Sequence, residues 1–278
     1  MEGPVDVDSC RIVWKREGSG PPLLLVHGWP LHSSTWDGVL PHLSRTHTCY
    51  APDLPGLGET QWSDDADLSF AAQARRLAKL VDTLGLDRYS MIAQDTGATI
   101  ARLVAAEHGE RVGALVLLNT EIPGHRPPWI PLFQKTAALP GSVSSFSLSL
   151  RSRLFLRSPM GFGGCFHDRA RIDDAFVARY VAPLLRDRRR MEGALRYLRG
   201  IDWSIVDGLS AAHRRITGRV RLVWGTEDPT FPLERARPMV DQFRNADLVE
   251  VPRARLLLHE ERPDAVAAAV SEVLTAAS

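Results

Sequence analysis

Over its first 118 residues the chain alternates short, unbroken apolar runs with segments whose apolar residues recur at helical spacing. That alternation constrains the fold more than any other feature. Leu23-Leu24-Leu25-Val26, after Pro21-Pro22, is too short for a core helix and lacks polar alternation, so it reads as a strand buried on both faces. Thr48 to Ala51 reads as a second strand, closed by Pro52-Asp53-Leu54-Pro55-Gly56. From Phe70 to Leu84, apolar residues at 70, 74, 77, 81 and 84 mark one face of a helix, which Gly85 stops. A strand follows at Tyr89 to Ala93, a helix at Gly97 to His108 and a strand at Ala114 to Leu118. Strand and helix alternating across short links predict a parallel sheet covered by helices on both faces.

After Asn119 the alternation stops for about ninety residues, too long for a structureless loop in a compact domain. Pro123, Pro127, Pro128 and Pro131 mark the exit from the sheet. Helices are expected near 129–139, 143–157, 173–185 and 188–201, with Pro183 breaking the third. Strands return at Val220 to Trp224 and Leu248 to Val251, with helices at Leu233 to Phe243 and Pro263 to Ala276. The expected organisation is a core of 1–121 and 213–278 with a helical cap at 122–212 inserted into it.

Composition narrows the function classes. At 278 residues the chain can bury a core without disulfide or metal support. Its formal charge of +1, from 34 basic and 33 acidic residues, argues against an electrostatic nucleic-acid binder. No early apolar run suits a signal peptide or membrane span. The odd, scattered cysteines at 10, 49 and 165 fit neither a disulfide framework nor a zinc site, and point to a reducing cytoplasm. A local excess of arginine over acid in residues 151–199 reads as solvated helix faces or a subunit contact. Gly161-Phe162-Gly163-Gly164 follows no strand and carries no cofactor call.

Chemistry concentrates at four places. In Ala93-Gln94-Asp95-Thr96-Gly97, small residues flank Asp95 at the two positions where a sharp strand-to-helix turn needs them. Taken alone, Asp95 reads more readily as a cap of the helix that follows. A second place, His27-Gly28-Trp29-Pro30, follows the first buried strand; the Trp29 and Thr96 N–H groups could form an oxyanion hole. Asp228, in Gly225-Thr226-Glu227-Asp228-Pro229, follows a later strand and can orient a histidine. His259, in Leu258-His259-Glu260-Glu261, lies between the last strand and last helix.

In that order, nucleophile, acid and histidine, these residues resemble the triad of an α/β-hydrolase. The sequence looks like the aspartate-nucleophile branch of that superfamily, which holds epoxide hydrolases, haloalkane dehalogenases and fluoroacetate dehalogenases. The resemblance implies that Asp95 attacks an sp³ carbon to give an alkyl ester. His259, held by Asp228, then activates the water that hydrolyses it. The earlier alternative position for the acid is Asn119 here, which favours Asp228 and leaves Glu121 a distant second.

Tyr197 lies near the apolar stripe of the last cap helix, similar to one of the two cap tyrosines of epoxide hydrolases; the only other tyrosine of the insertion is Tyr180. Thr96 stands where haloalkane dehalogenases usually carry tryptophan, and Thr96 and Thr99 stand where fluoroacetate dehalogenases carry arginines. Trp29 or Trp129 could still offer an indole N–H to a halide. Epoxide opening is therefore the first expectation and dehalogenation the alternative, on a small hydrophobic or aromatic substrate and without cofactor or metal. A non-catalytic, ligand-binding relative is the alternative from another class.

Overall fold

The computed structural model describes residues 2–277. Its sheet has nine strands: β1 (Glu2–Val7), β2 (Cys10–Glu17), β3 (Pro22–Val26), β4 (Thr48–Pro52), β5 (Gln61–Trp62), β6 (Tyr89–Gln94), β7 (Val112–Leu118), β8 (Arg219–Gly225) and β9 (Ala246–Val251). The order is β1-β2-β4-β3-β6-β7-β8-β9, with β5 paired to β2. Strands β4, β3, β6, β7, β8 and β9 run parallel. Strand β2 is antiparallel to β1, β4 and β5. The hairpin β1–β2 has a sequence signal in the alternation of buried Cys10, Ile12 and Trp14, a period of two.

Strand order reverses between β3 and β6. In doubly wound sheets the crevice outside the carboxyl ends of the strands at such a switch collects ligands. Val26 pairs with Ala93, so the loop after β3 and the turn after β6 emerge side by side. One apolar core lies under the helices Phe70–Thr83 and Thr96–His108. Another lies under Trp36, Leu40 and the last helix, Pro263–Ala277.

The insertion between β7 and β8 is helical, with local departures from the expected pattern, among them an additional helix at Trp203–Arg215. The stretch expected as one helix over 143–157 divides into Ser142–Leu150 and Arg153–Arg157, where Ser152 caps the second by accepting from Phe155 N–H. Around Pro183 the chain forms a widened π turn, Val177–Val181, before Ala182–Leu185. Pro183 has no N–H to give the Arg179 carbonyl, which instead accepts from His32 Nε2 at 2.9 Å. The arginine-rich cap segment turns toward acidic residues of the core: Arg186 and Arg190 meet Glu59, and Arg189 meets Asp64. The exposed pairs of Arg186 and Arg189 set the docking register more than they add stability, while Arg190 is half-buried.

Among the described residues no helix is long and apolar enough to cross a membrane, and no cluster of His, Cys, Asp or Glu could hold a metal ion. Cys10, Cys49 and Cys165 are free thiols.

The switch point tolerates little added volume. A Cβ on Gly97 would lie 2.2 Å from the His27 carbonyl oxygen and 2.6 Å from that of Val26, both backbone atoms. We expect Gly97→Ala to cost on the order of 3 kcal/mol, at the upper end of overpacking penalties, because neither contact can rotate away. An unchanged urea midpoint would show that helix and strand can separate freely here.

Candidate active site

Asp95 sits at the C-terminal end of β6 as the first residue of a strand-to-helix turn, with φ +51° and ψ −135°. A non-glycine residue seldom adopts positive φ, and holding it there costs on the order of 1–3 kcal/mol. The turn is fixed from several sides. Asp95 N–H donates to the carbonyls of Leu118 and Asn119 at the end of β7, and Thr120 Oγ1 lies 2.9 Å from the Asp95 carbonyl. Across the crevice, Trp29 N–H donates to Asp95 Oδ2 at 3.0 Å and to Thr96 Oγ1 at 2.9 Å. Gly28 permits this approach, since a Cβ there would lie 2.6 Å from Asp95 Oδ2. The backbone N–H of Thr96 also faces the Asp95 carboxylate. The sequence-predicted nucleophile and both oxyanion donors are thus brought together.

They open on a cavity of about 260 Å³ between core and cap, walled by groups such as Trp129, Phe133, Phe146, Leu195 and Phe231. Among its lining residues the carboxyl side chains are Asp95 and Glu121, and no histidine is present. This apolar lining alters the chemistry expected of Asp95. Burial first, then the charges of Glu121 and Asp228, hold its carboxyl well above the usual carboxylate range, against the N–H groups of Thr96 and Trp29.

Glu121 is held from beneath the cavity. Its Oε2 accepts from Thr99 Oγ1 at 2.7 Å and lies 2.9 Å from Thr120 Oγ1 and 3.9 Å from the Arg102 guanidinium. Arg102 is fully buried and donates to Thr99, Thr120 and the Glu121 carbonyl, and burial lowers its pKa to about 10. The sequence signal for this cluster was an arginine inside the alanine-rich buried stripe of the helix Thr96–His108. An ion needs a buried partner there.

His259 is not part of this constellation, which corrects its expected place beside Asp228. Residues 258–261 form a one-turn helix, Leu258–Glu261, and His259 is not among the residues that line the cavity. His259 Nε2 lies 2.6 Å from Thr35 Oγ1, its ring lies tilted against Trp36 with centroids 4.8 Å apart, and among the described residues Nδ1 has no hydrogen-bond partner. Among the described residues, no hydrogen bond or ion pair joins His259 to Asp95 or Asp228. The neighbouring residues that reach the cavity wall are Leu256 and Leu257, just before this turn.

Asp228 is likewise closed off, accepting from Asn119 Nδ2 at 2.6 Å and Thr230 N–H at 2.8 Å. Burial raises its pKa to about 7. His27 is a structural residue: Nε2 accepts from Leu54 N–H, Nδ1 meets the Gly28 carbonyl, and burial lowers its pKa to about 4.

Tyr197 lies near the site yet off the cavity wall. Its hydroxyl donates to Thr96 Oγ1 at 3.2 Å, and the residue is fully buried behind Thr96. The tyrosine therefore braces the elbow, where the sequence suggested a donor to the leaving group. Tyr180 donates to Glu260, away from the cavity. Trp29 directs its indole N–H to the Ala194 carbonyl at 2.8 Å. Trp129 lines the cavity, and its indole N–H makes no hydrogen bond among the described residues.

The elbow at the switch point, facing a capped apolar cavity, defines the class. The sequence pattern of the α/β hydrolase fold family matches residues 21–263, and the chain belongs to that family. It is 31% identical over 273 residues to haloalkane dehalogenase 2 of Mycobacterium tuberculosis, covering 96% of this chain and 92% of that one. It is 34% identical to a soluble epoxide hydrolase of Corynebacterium sp. over 118 residues, 42% of this chain and 41% of the relative. A crystal structure of an α/β hydrolase fold protein from Burkholderia ambifaria superposes with a TM-score of 0.83 at 26% identity, covering 98% of this chain and 97% of that one.

The placement of His259 has a measurable consequence. Burial lowers its pKa from 6.5 to about 3, so as pH falls the unfolded chain takes up the proton first. Its contribution to stability is complete above pH 6.5 and is lost as pH falls toward 3. Relative to His259→Gln, the wild type should lose about 1.4 kcal/mol per pH unit between roughly pH 6 and 4. Urea titrations of both proteins across that range make the comparison, and parallel curves would mean that the imidazole is solvated in the cleft.

Proposed function

We propose that the chain is a hydrolase in which Asp95 displaces a leaving group from an sp³ carbon of a small apolar substrate. The observation carrying this reading is the Asp95 carboxylate itself. It is fixed at a positive-φ elbow, faced by the N–H groups of Trp29 and Thr96, and is one of two carboxyls in an otherwise apolar cavity. An ionised carboxylate oxygen attacks carbon, the bond to the leaving group breaks, and an alkyl ester of Asp95 forms. The same N–H groups then face the ester carbonyl, where an oxyanion would develop during hydrolysis.

Of the leaving groups, the cavity favours halide. An epoxide oxygen departs as an alkoxide and needs a proton donor beside it. Tyr197 is withdrawn behind Thr96 and does not meet that need. Halide is a stable anion for which N–H dipoles suffice, and Trp129, whose indole N–H makes no hydrogen bond among the described residues, is one of the residues lining the wall. The near full-length likeness to a named haloalkane dehalogenase supports the same choice. A second reading, a ligand-binding relative without turnover, draws on Leu256 and Leu257, which stand at the wall just before the turn carrying His259.

Matched terminal bromoalkanes and epoxides distinguish these readings. Incubation with a bromoalkane should release bromide and add the alkyl mass to the peptide containing Asp95, with far less product from the matched epoxide. Asp95→Ala should show neither adduct nor bromide. Saturable binding of bromoalkane without bromide or adduct would establish the ligand-binding reading, and diol formation outpacing bromide release would restore the epoxide.

A further inference from the structure

The cavity poses a problem for the second half of that reaction, because hydrolysing an aspartyl ester requires a base beside the attacking water, and no histidine lines the wall. We propose that Glu121 is that base: its carboxylate activates water against the Asp95 ester, a role carried by an acid from the end of β7 rather than by an imidazole. The inference rests on the Asp95 reading above.

Three observations support it. Glu121 is the second carboxyl on the cavity wall, and once Asp95 is esterified it is the one left able to accept a proton. Its two oxygens are in different situations. Oε2 is held by Thr99 and Thr120 with Arg102 behind them, whereas Oε1 makes no hydrogen bond and is not among the sealed, unpartnered buried atoms. In a residue that lines the cavity, Oε1 is therefore the oxygen open to it. Lastly, Glu121 is tied to the nucleophile, since Thr120 Oγ1 lies 2.9 Å from both Glu121 Oε2 and the Asp95 carbonyl. The charge of Glu121 is correspondingly the second cause raising the Asp95 carboxyl.

The step balances without any further reactant. Glu121 Oε1 takes one proton from water, and the hydroxide oxygen bonds to Cγ of Asp95. The tetrahedral oxyanion is held by the N–H groups of Trp29 and Thr96. Its collapse breaks the bond to the alkoxy oxygen, which takes the proton back from Glu121. Alcohol leaves, and Asp95, left as the free acid, returns to the carboxylate by releasing the remaining proton to water.

The test follows the Asp95 adduct by intact mass after mixing full-length protein with a bromoalkane, then removing excess reagent. The wild-type adduct should form and decay. In Glu121→Gln the amide can still accept from Thr99 and Thr120, so the adduct should form at a similar rate and decay more slowly by on the order of 10²-fold or more. Glu121→Asp, which withdraws the carboxylate by one methylene but keeps the charge beside Arg102, should also slow decay and serves if the glutamine variant does not fold. His259→Gln should decay like the wild type. Decay at the wild-type rate in both Glu121 variants, with adduct formation intact, would overturn Glu121 as the base while leaving Asp95 as nucleophile. Slowed decay in His259→Gln would return the role to the imidazole. If wild-type protein forms no adduct, the underlying reading of Asp95 fails.

Discussion

The hydrogen bond from Trp29 N–H to the Asp95 carboxylate joins the two loops that emerge on either side of the sheet's switch point. It requires the chain after β3 and the turn after β6 to lie almost in contact, and Gly28 and Gly97 allow that by having no Cβ. It also requires Asp95 to keep an unfavourable backbone conformation, which the carbonyls of Leu118 and Asn119 and the hydroxyl of Thr120 hold in place. Parallel register between β3, β6 and β7 brings these groups together, so the site depends on the sheet before any side chain in the cap contributes.

The cap supplies a dry environment in place of reacting groups. Its aromatic and aliphatic side chains close over Asp95, and the resulting desolvation raises the carboxyl while strengthening every dipole that faces it. Polar groups near the floor are tied to one another: Tyr197 to Thr96, Trp29 to Ala194, and Asp228 to Asn119 and Thr230. What remains open on the cavity is a pair of carboxyls, one at the elbow and one backed by Arg102. A preorganised floor of this kind favours a reaction in which charge is passed between fixed acceptors.

The parallel sheet and the elbow were legible because they rest on local signals. The run Leu23–Val26, the helical spacing after Phe70 and the small residues around Asp95 are local signals, and their alternation gives a parallel sheet covered by helices. The role of His259 was not legible in the same way. Its position in chain order suits an acid–base residue, yet chain order does not say which way the side chain faces, and in the fold His259 meets Thr35. Tyr197 shows the same limit, since a period of 3.6 places it at the edge of the apolar stripe but does not say whether its hydroxyl meets the cavity or Thr96. Glu121 had a weak signal, an acid shortly after an apolar strand, and its partner Arg102 a stronger one that only the packed structure connects to it.

Oxygen labelling in a single turnover tests the central claim most directly, because it asks which atom becomes bonded to the substrate's carbon. With protein in excess over a bromoalkane in ¹⁸O-water, nucleophilic attack by Asp95 followed by water attack at its Cγ gives alcohol carrying unlabelled oxygen. The label is left in the peptide containing Asp95. Alcohol labelled in that first turnover, with unlabelled Asp95, would mean that water attacks the substrate directly and would contradict the account.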